Sequence, residues 1–123
     1  MISVLITSES RYPIDRQAIR QAITRVLKGE GIDEVEISVL VVGGRKIREL
    51  NREFRKIDEE TDVLAFPLEE ARGPDRILRL GDIVICFPAA RELARLENKL
   101  VGEKIIELLE HGLKHLLEKN NHD

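Results

Sequence analysis

The chain has 123 residues, enough for one domain with a conventional hydrophobic core. A composition of 42% hydrophobic and 35% charged residues excludes a disordered chain, and only 3% aromatic content predicts a core of Ile, Leu and Val. The net charge of −3 argues against coating nucleic acid by bulk positive charge, the apolar runs fall short of the roughly 20 residues of a membrane span, and no basic-then-apolar leader is present, so a cytoplasmic protein is expected.

In chain order, MISVLIT alternates as a first strand. PIDRQAIRQAITRVLKGEG then places Ile19, Ala22, Ile23, Val26 and Leu27 on one helical face, with Asp15 to cap its start and Gly29 or Gly31 its end. EVEISVLVV sets Val35, Ile37, Val39 and Val41 on one side of a second strand, which Gly43 and Gly44 break. In RKIRELNREFRKI, Ile47, Leu50 and Phe54 recur at helical spacing and turn the charges outward.

TDVLAFP and GDIVIC read as two more strands, joined by an exposed hairpin or loop over LEEARGPDRILRL. Pro88 suits the first turn of a helix over PAARELARLENK, and Gly102 is expected to interrupt before a last helix, EKIIELLEHGLKHLLEK. Cys86, the single cysteine, lies in an apolar stretch and reads as a small core residue. Strands mixed with helices, and two helices gathered at the end, predict an α/β sandwich with one sheet, as a single domain over residues 1–123.

Two features carry chemistry. Arg45, Lys46, Arg48, Arg52, Arg55 and Lys56 crowd into the second helix, either as a solvated face with i,i+4 pairs such as Arg45 with Glu49 or as a local basic patch. All three histidines, His111, His115 and His122, lie in the last thirteen residues, HGLKHLLEKNNHD. His111 and His115 are one turn apart at the border of an apolar arc, as a surface pair or as two imidazoles aimed at one metal ion. A metal needs a third ligand from beyond the helix end: His122, or Asp123 through oxygen. The helix must then stop near Glu118 or Lys119, where Asn120 and Asn121 tolerate a left-handed turn. Gly112 stands where an HExxH peptidase carries its general base, which excludes that protease mechanism.

The blocks LNREFRKIDEETDVLAFP, GDIVIC and HGLKHLL, in that order, resemble the YbeY family of bacterial rRNA maturation factors from about Glu36 to the end. The resemblance implies a zincin-like α+β fold with one mixed sheet, and three histidines that hold one metal ion, usually zinc, in a cleft admitting single-stranded RNA. It further implies a metal-dependent endoribonuclease acting on the 3′ end of small-subunit rRNA, with the small ribosomal subunit as partner. His111 and His115 match the first two ligands, and Arg55 matches an arginine that binds phosphate. The family ending resembles H-G-x-L-H-L-x-G-Y-D-H, with five residues before the third histidine; here six separate His115 from His122, and Glu118, Asn120 and Asn121 replace the glycine and the Tyr-Asp pair. That altered tail motivates the alternative, an RNA- or ribosome-binding maturation factor with weak or lost cleavage.

Overall fold

In the computed structural model, which describes residues 1–68 and 74–120, the elements run β1 (Ile2–Ser8), α1 (Arg16–Gly29), β2 (Val35–Val42), α2 (Gly44–Arg55), β3 (Val63–Pro67), β4 (Leu78–Cys86), α3 (Phe87–Glu97) and α4 (Val101–Asn120). The strands form one mixed sheet in the order β1-β2-β4-β3, parallel except for β3, which pairs antiparallel with β4 at the edge. This is the expected α+β architecture.

The period-2 pattern of β2 decides which helices cover which face. Val35, Ile37, Val39 and Val41, all at most 2% exposed, point into the larger core with Ile19, Ile23 and Leu27 of α1 and Ile105, Leu109, Leu113 and Leu116 of α4. Leu40 and Val42 point the other way, into a smaller core with Ile47 and Leu50 of α2, Leu64, Val84 and Cys86. Helices α1 and α4 therefore share one face of the sheet, and α2 occupies the opposite one. Cys86 is buried as expected, and burial pushes its thiol above the ordinary range.

Strand β4 begins earlier than its sequence suggests. Leu78 and Leu80 face the same core as Ile83 and Ile85, although their parity differs. The register against β2 shifts there: Glu36 pairs with Arg79, but Ile37 pairs with Gly81. One extra residue on β4 makes a bulge, with Gly81 at φ +132, and the bulge swaps odd for even positions on the buried face. Strict alternation is broken, so Leu78–Leu80, expected within the connecting loop, is strand.

The ends of the helices follow local chemistry. Asp15 caps α1 by accepting from the Ala18 amide at 3.0 Å, and Gly31 turns the chain beyond it at φ +73. Gly102 does not interrupt a helix, contrary to expectation. The break lies just before it, where Asn98 takes the left-handed conformation at φ 55 and the Leu100 amide donates to the Glu103 carboxylate at 2.9 Å, half of a capping box. The corner between α3 and α4 is fixed by charge. Buried Lys104 donates to Glu97 at 3.0 Å and to Glu107 at 3.3 Å, and Lys99 reaches Glu107 at 2.7 Å. Hydrogen bonding to Glu97 raises the Lys104 ammonium, and the two carboxylates sit below their usual range. Among the described residues, no helix is long and apolar enough to cross a membrane.

Candidate functional site

Helix α4 packs tightly against the sheet at Gly112. A Cβ there would lie 3.0 Å from Ile83 Cγ2 of β4, tighter than a packed side chain normally allows, and in ordinary contact with Val63 Cγ2 of β3 at 3.5 Å. The missing side chain lets the helix lie low over the β3–β4 edge. His111 and His115, on either side in sequence, are about 6 Å apart along the helix axis, on the adjoining solvent face.

Both imidazoles are exposed, and neither makes a hydrogen bond or ion pair with any described residue. Their ring nitrogens are thus free to coordinate. His111 also borders a recess of about 460 Å³ with Val26 and Glu30 at the end of α1 and Leu117 and Glu118 on its own helix. The described part of the helix runs to Asn120, one residue past Lys119, with buried Leu116 and Leu117 anchoring its last turns. His122 and Asp123 lie outside the described residues. Among the described residues, no group of three His, Cys, Asp or Glu side chains is spaced to hold a metal ion.

Arg55 is the last residue of α2, exposed and without an ion pair among the described residues. It stands on the opposite side of the sheet from α4: α2 packs against β4 and α3, and α4 against α1, α3, β3 and β4. The expected Arg45–Glu49 pairing is not what organises the basic helix. Arg48 instead grips Asp58 at 2.8 Å and 3.3 Å, and Arg52 approaches the same carboxylate at 3.9 Å. Phe54, expected on the apolar face, is 61% exposed and tilts against Phe66 at 5.3 Å, because the smaller core ends at Leu50.

Asn51 is a structural residue of this region that sequence reasoning passed over. It is 4% exposed, and its Nδ2 donates to the Glu59 carbonyl at 3.0 Å while its backbone carbonyl accepts from the Ile57 amide at 3.3 Å. With the Arg48–Asp58 pair, and with Glu60 against Gly44, it straps residues 56–60 back along α2 and fixes the turn that follows Arg55. The signal was a polar residue one turn after Ile47 on an otherwise apolar stripe. Asn51→Ala is expected to cost about 1–2 kcal/mol in urea unfolding, and Asn51→Asp more, because it buries a carboxylate facing the Glu59 carbonyl. Equal stability of the two variants contradicts this role.

A mixed sheet with an antiparallel edge strand, two helices on one face and a strapped basic helix on the other define the class: an α+β protein with helices on both sides of a single sheet. The model of the family described as Endoribonuclease YbeY matches residues 5–122, and the chain belongs to that family. An Endoribonuclease YbeY of Anaeromyxobacter sp. (strain Fw109-5) is 46% identical over 88% of this chain and 57% of its own length. That of Persephonella marina is 39% identical, over 95% of this chain and 77% of its own. The solution structure of TM1509 from Thermotoga maritima superposes with a TM-score of 0.63 at 30% identity, covering 92% of this chain and 71% of that one. The chain thus spans little more than half of the Anaeromyxobacter relative.

Proposed function

We propose that this single domain is a cytoplasmic, metal-dependent endoribonuclease specific for single strands, acting in 3′-end processing of rRNA and maturation of the small ribosomal subunit. The observation that carries the reading is the exposed, unengaged pair His111 and His115 on the helix that Gly112 brings down onto the sheet edge. The relatives' name, Endoribonuclease YbeY, favours cleavage over the binding-only alternative.

In this reading His111 and His115 hold one divalent ion, zinc by the match of imidazole to that metal, and His122 completes the set, or Asp123 in its place. A bound ion supplies Lewis acidity to a phosphodiester oxygen and to the attacking water. Arg55, across the sheet from that ion, holds a flanking phosphate of the strand through its guanidinium.

Zinc titration of the full chain is expected to give one tight site per molecule, and His111→Ala with His115→Ala to abolish it while the melting temperature of the metal-free protein is unchanged. Cleavage of single-stranded RNA should stop with chelator and return with zinc. Undiminished cleavage by the double variant would overturn the proposal.

A further inference from the structure

Helix α1 carries Arg16, Arg20, Arg25 and Lys28 and no carboxylate, in a chain whose net charge is −3. Every other helix mixes signs. Glu49 and Glu53 lie in α2, Glu92 and Glu97 in α3, and Glu103, Glu107, Glu110 and Glu118 in α4. The packing of the core accounts for the buried side of α1, but gives the cations on its outer side no task.

At about 100° per residue, Gln17, Arg20, Gln21, Thr24, Arg25 and Lys28 fall on one side of the helix, opposite buried Ile19, Ala22 and Ile23, and they line one shallow groove along it. Arg16, beside them, is engaged: its guanidinium donates to the Ile6 carbonyl at 2.7 Å. Arg20, Arg25 and Lys28 are exposed and make no hydrogen bond or ion pair with any described residue. The carboxylates at the two ends of α1 do not answer them. Asp15 accepts from the Ala18 amide, and Glu30 lies past the last turn, in the recess that His111 borders. This arrangement works against the helix itself. Arg16 in the first turn opposes the positive end of the helix dipole, and Arg16 with Arg20 at i,i+4 and Arg25 with Lys28 at i,i+3 are like-charge pairs. A solvated face that served stability alone would alternate signs, as α3 does with Glu92 and Arg95 and α4 with Lys104 and Glu107.

Three unanswered cations spread over about 12 Å of helix rise, interleaved with the amides of Gln17 and Gln21 and the hydroxyl of Thr24, are the donors a phosphodiester backbone takes up. Charge holds the strand, and the polar groups hydrogen-bond phosphate and sugar. No aromatic side chain lines this groove, so it offers nothing on which a base would stack. We infer that the outer face of α1 is an anchoring surface for the phosphate backbone of RNA, indifferent to sequence and separate from the cleavage centre. The choice of RNA as the polyanion rests on the ribonuclease reading above. The surface adds a hold on the substrate on the same side of the sheet as the histidines: the stripe ends at Lys28, close in sequence to Val26 and Glu30, which share a recess with His111. Glu30, Glu110 and Glu118 line that recess, which keeps an anionic backbone on α1 and out of it.

The test is binding of a fluorescein-labelled single-stranded RNA of mixed sequence to the full chain across a series of salt concentrations, with chelator present to prevent cleavage. Arg20→Gln with Lys28→Gln is expected to weaken binding about tenfold at moderate salt. The plot of log affinity against log salt should become shallower by about 1.4, the counterion release of two phosphate contacts on a single strand. The melting temperature of this variant should hold or rise, because like-charge pairs within α1 are removed. Arg91→Gln with Arg95→Gln takes the same charge from α3 and should leave the slope as it is in the unaltered chain. No binding of RNA by the unaltered chain, an unchanged slope in the α1 variant, an equal loss in the α3 variant, or tighter binding of phosphatidylglycerol vesicles than of RNA at the same salt would each overturn the inference. A shallower slope in the α1 variant of a protein that cleaves no RNA keeps this surface and removes the nuclease reading; metal-dependent cleavage with the slope unchanged does the reverse.

Discussion

Gly81→Val is expected to destabilise the protein by about 4 kcal/mol or more, combining backbone strain with a clash that cannot relax. Gly81 sits at φ +132, and a Cβ on it would overlap the Phe66 carbonyl oxygen and lie 3.0 Å from the Pro67 Cα, both backbone atoms of β3. The bulge that Gly81 makes also keeps Leu78 and Leu80 on the buried face, so losing it endangers the start of β4 as well as the β3 pairing. Gly102→Ala is the internal control: nothing lies within 4 Å of its Cβ position, and stability should change by no more than about 1 kcal/mol. Guanidinium unfolding of both variants, with amide exchange across Val63–Pro67, checks the pair. A Gly81→Val protein as stable as the control would contradict the bulge argument.

Arg55→Ala is expected to lower single-turnover cleavage of subsaturating single-stranded RNA by about 10- to 100-fold, the size typical of losing one charge-assisted contact to a phosphate. The unfolding midpoint should not move, because Arg55 is exposed and makes no ion pair with the described residues. Arg55→Lys should recover part of the rate, since an ammonium keeps the charge but not the paired donors of a guanidinium. Zinc binding should be the same in all three proteins, because the sheet stands between α2 and the histidine helix. An unchanged rate in Arg55→Ala removes this residue from the mechanism and leaves the histidines standing.

The parts of the fold visible in the sequence are those where one period governs a whole element. The alternation in β2 and the helical stripe of Ile19, Ile23 and Leu27 named their buried faces correctly, and Asp15 announced the start of α1. The parts that were hidden are places where two rules compete. A single extra residue at Gly81 reversed the parity of β4 and disguised Leu78–Leu80 as loop. Gly102 looked like a break, yet glycine costs little in a first turn, and the left-handed Asn98 had already ended α3. Phe54 fitted the apolar spacing of α2, but the sheet beneath that end offers no second layer to bury it.

The candidate site was less legible for a related reason. Helical spacing brings His111 and His115 together, because four residues make about one turn. It says nothing of where Arg55 lies, which depends on how the chain passes from β2 to β3. The buried asparagine escaped notice because its partner, the Glu59 carbonyl, is backbone and leaves no mark in a side-chain pattern.

The sheet order also bears on how the chain assembles. Only β3 and β4 can zip together across a short connection; the parallel partners must bring Ile2 to Val35 and Val35 to Leu78 before a single ladder bond forms. Closing those distant ends carries an entropy cost that the hairpin avoids. The edge that borders the histidine helix is therefore the earliest part of the sheet available to form, and the central strands are set against it afterwards.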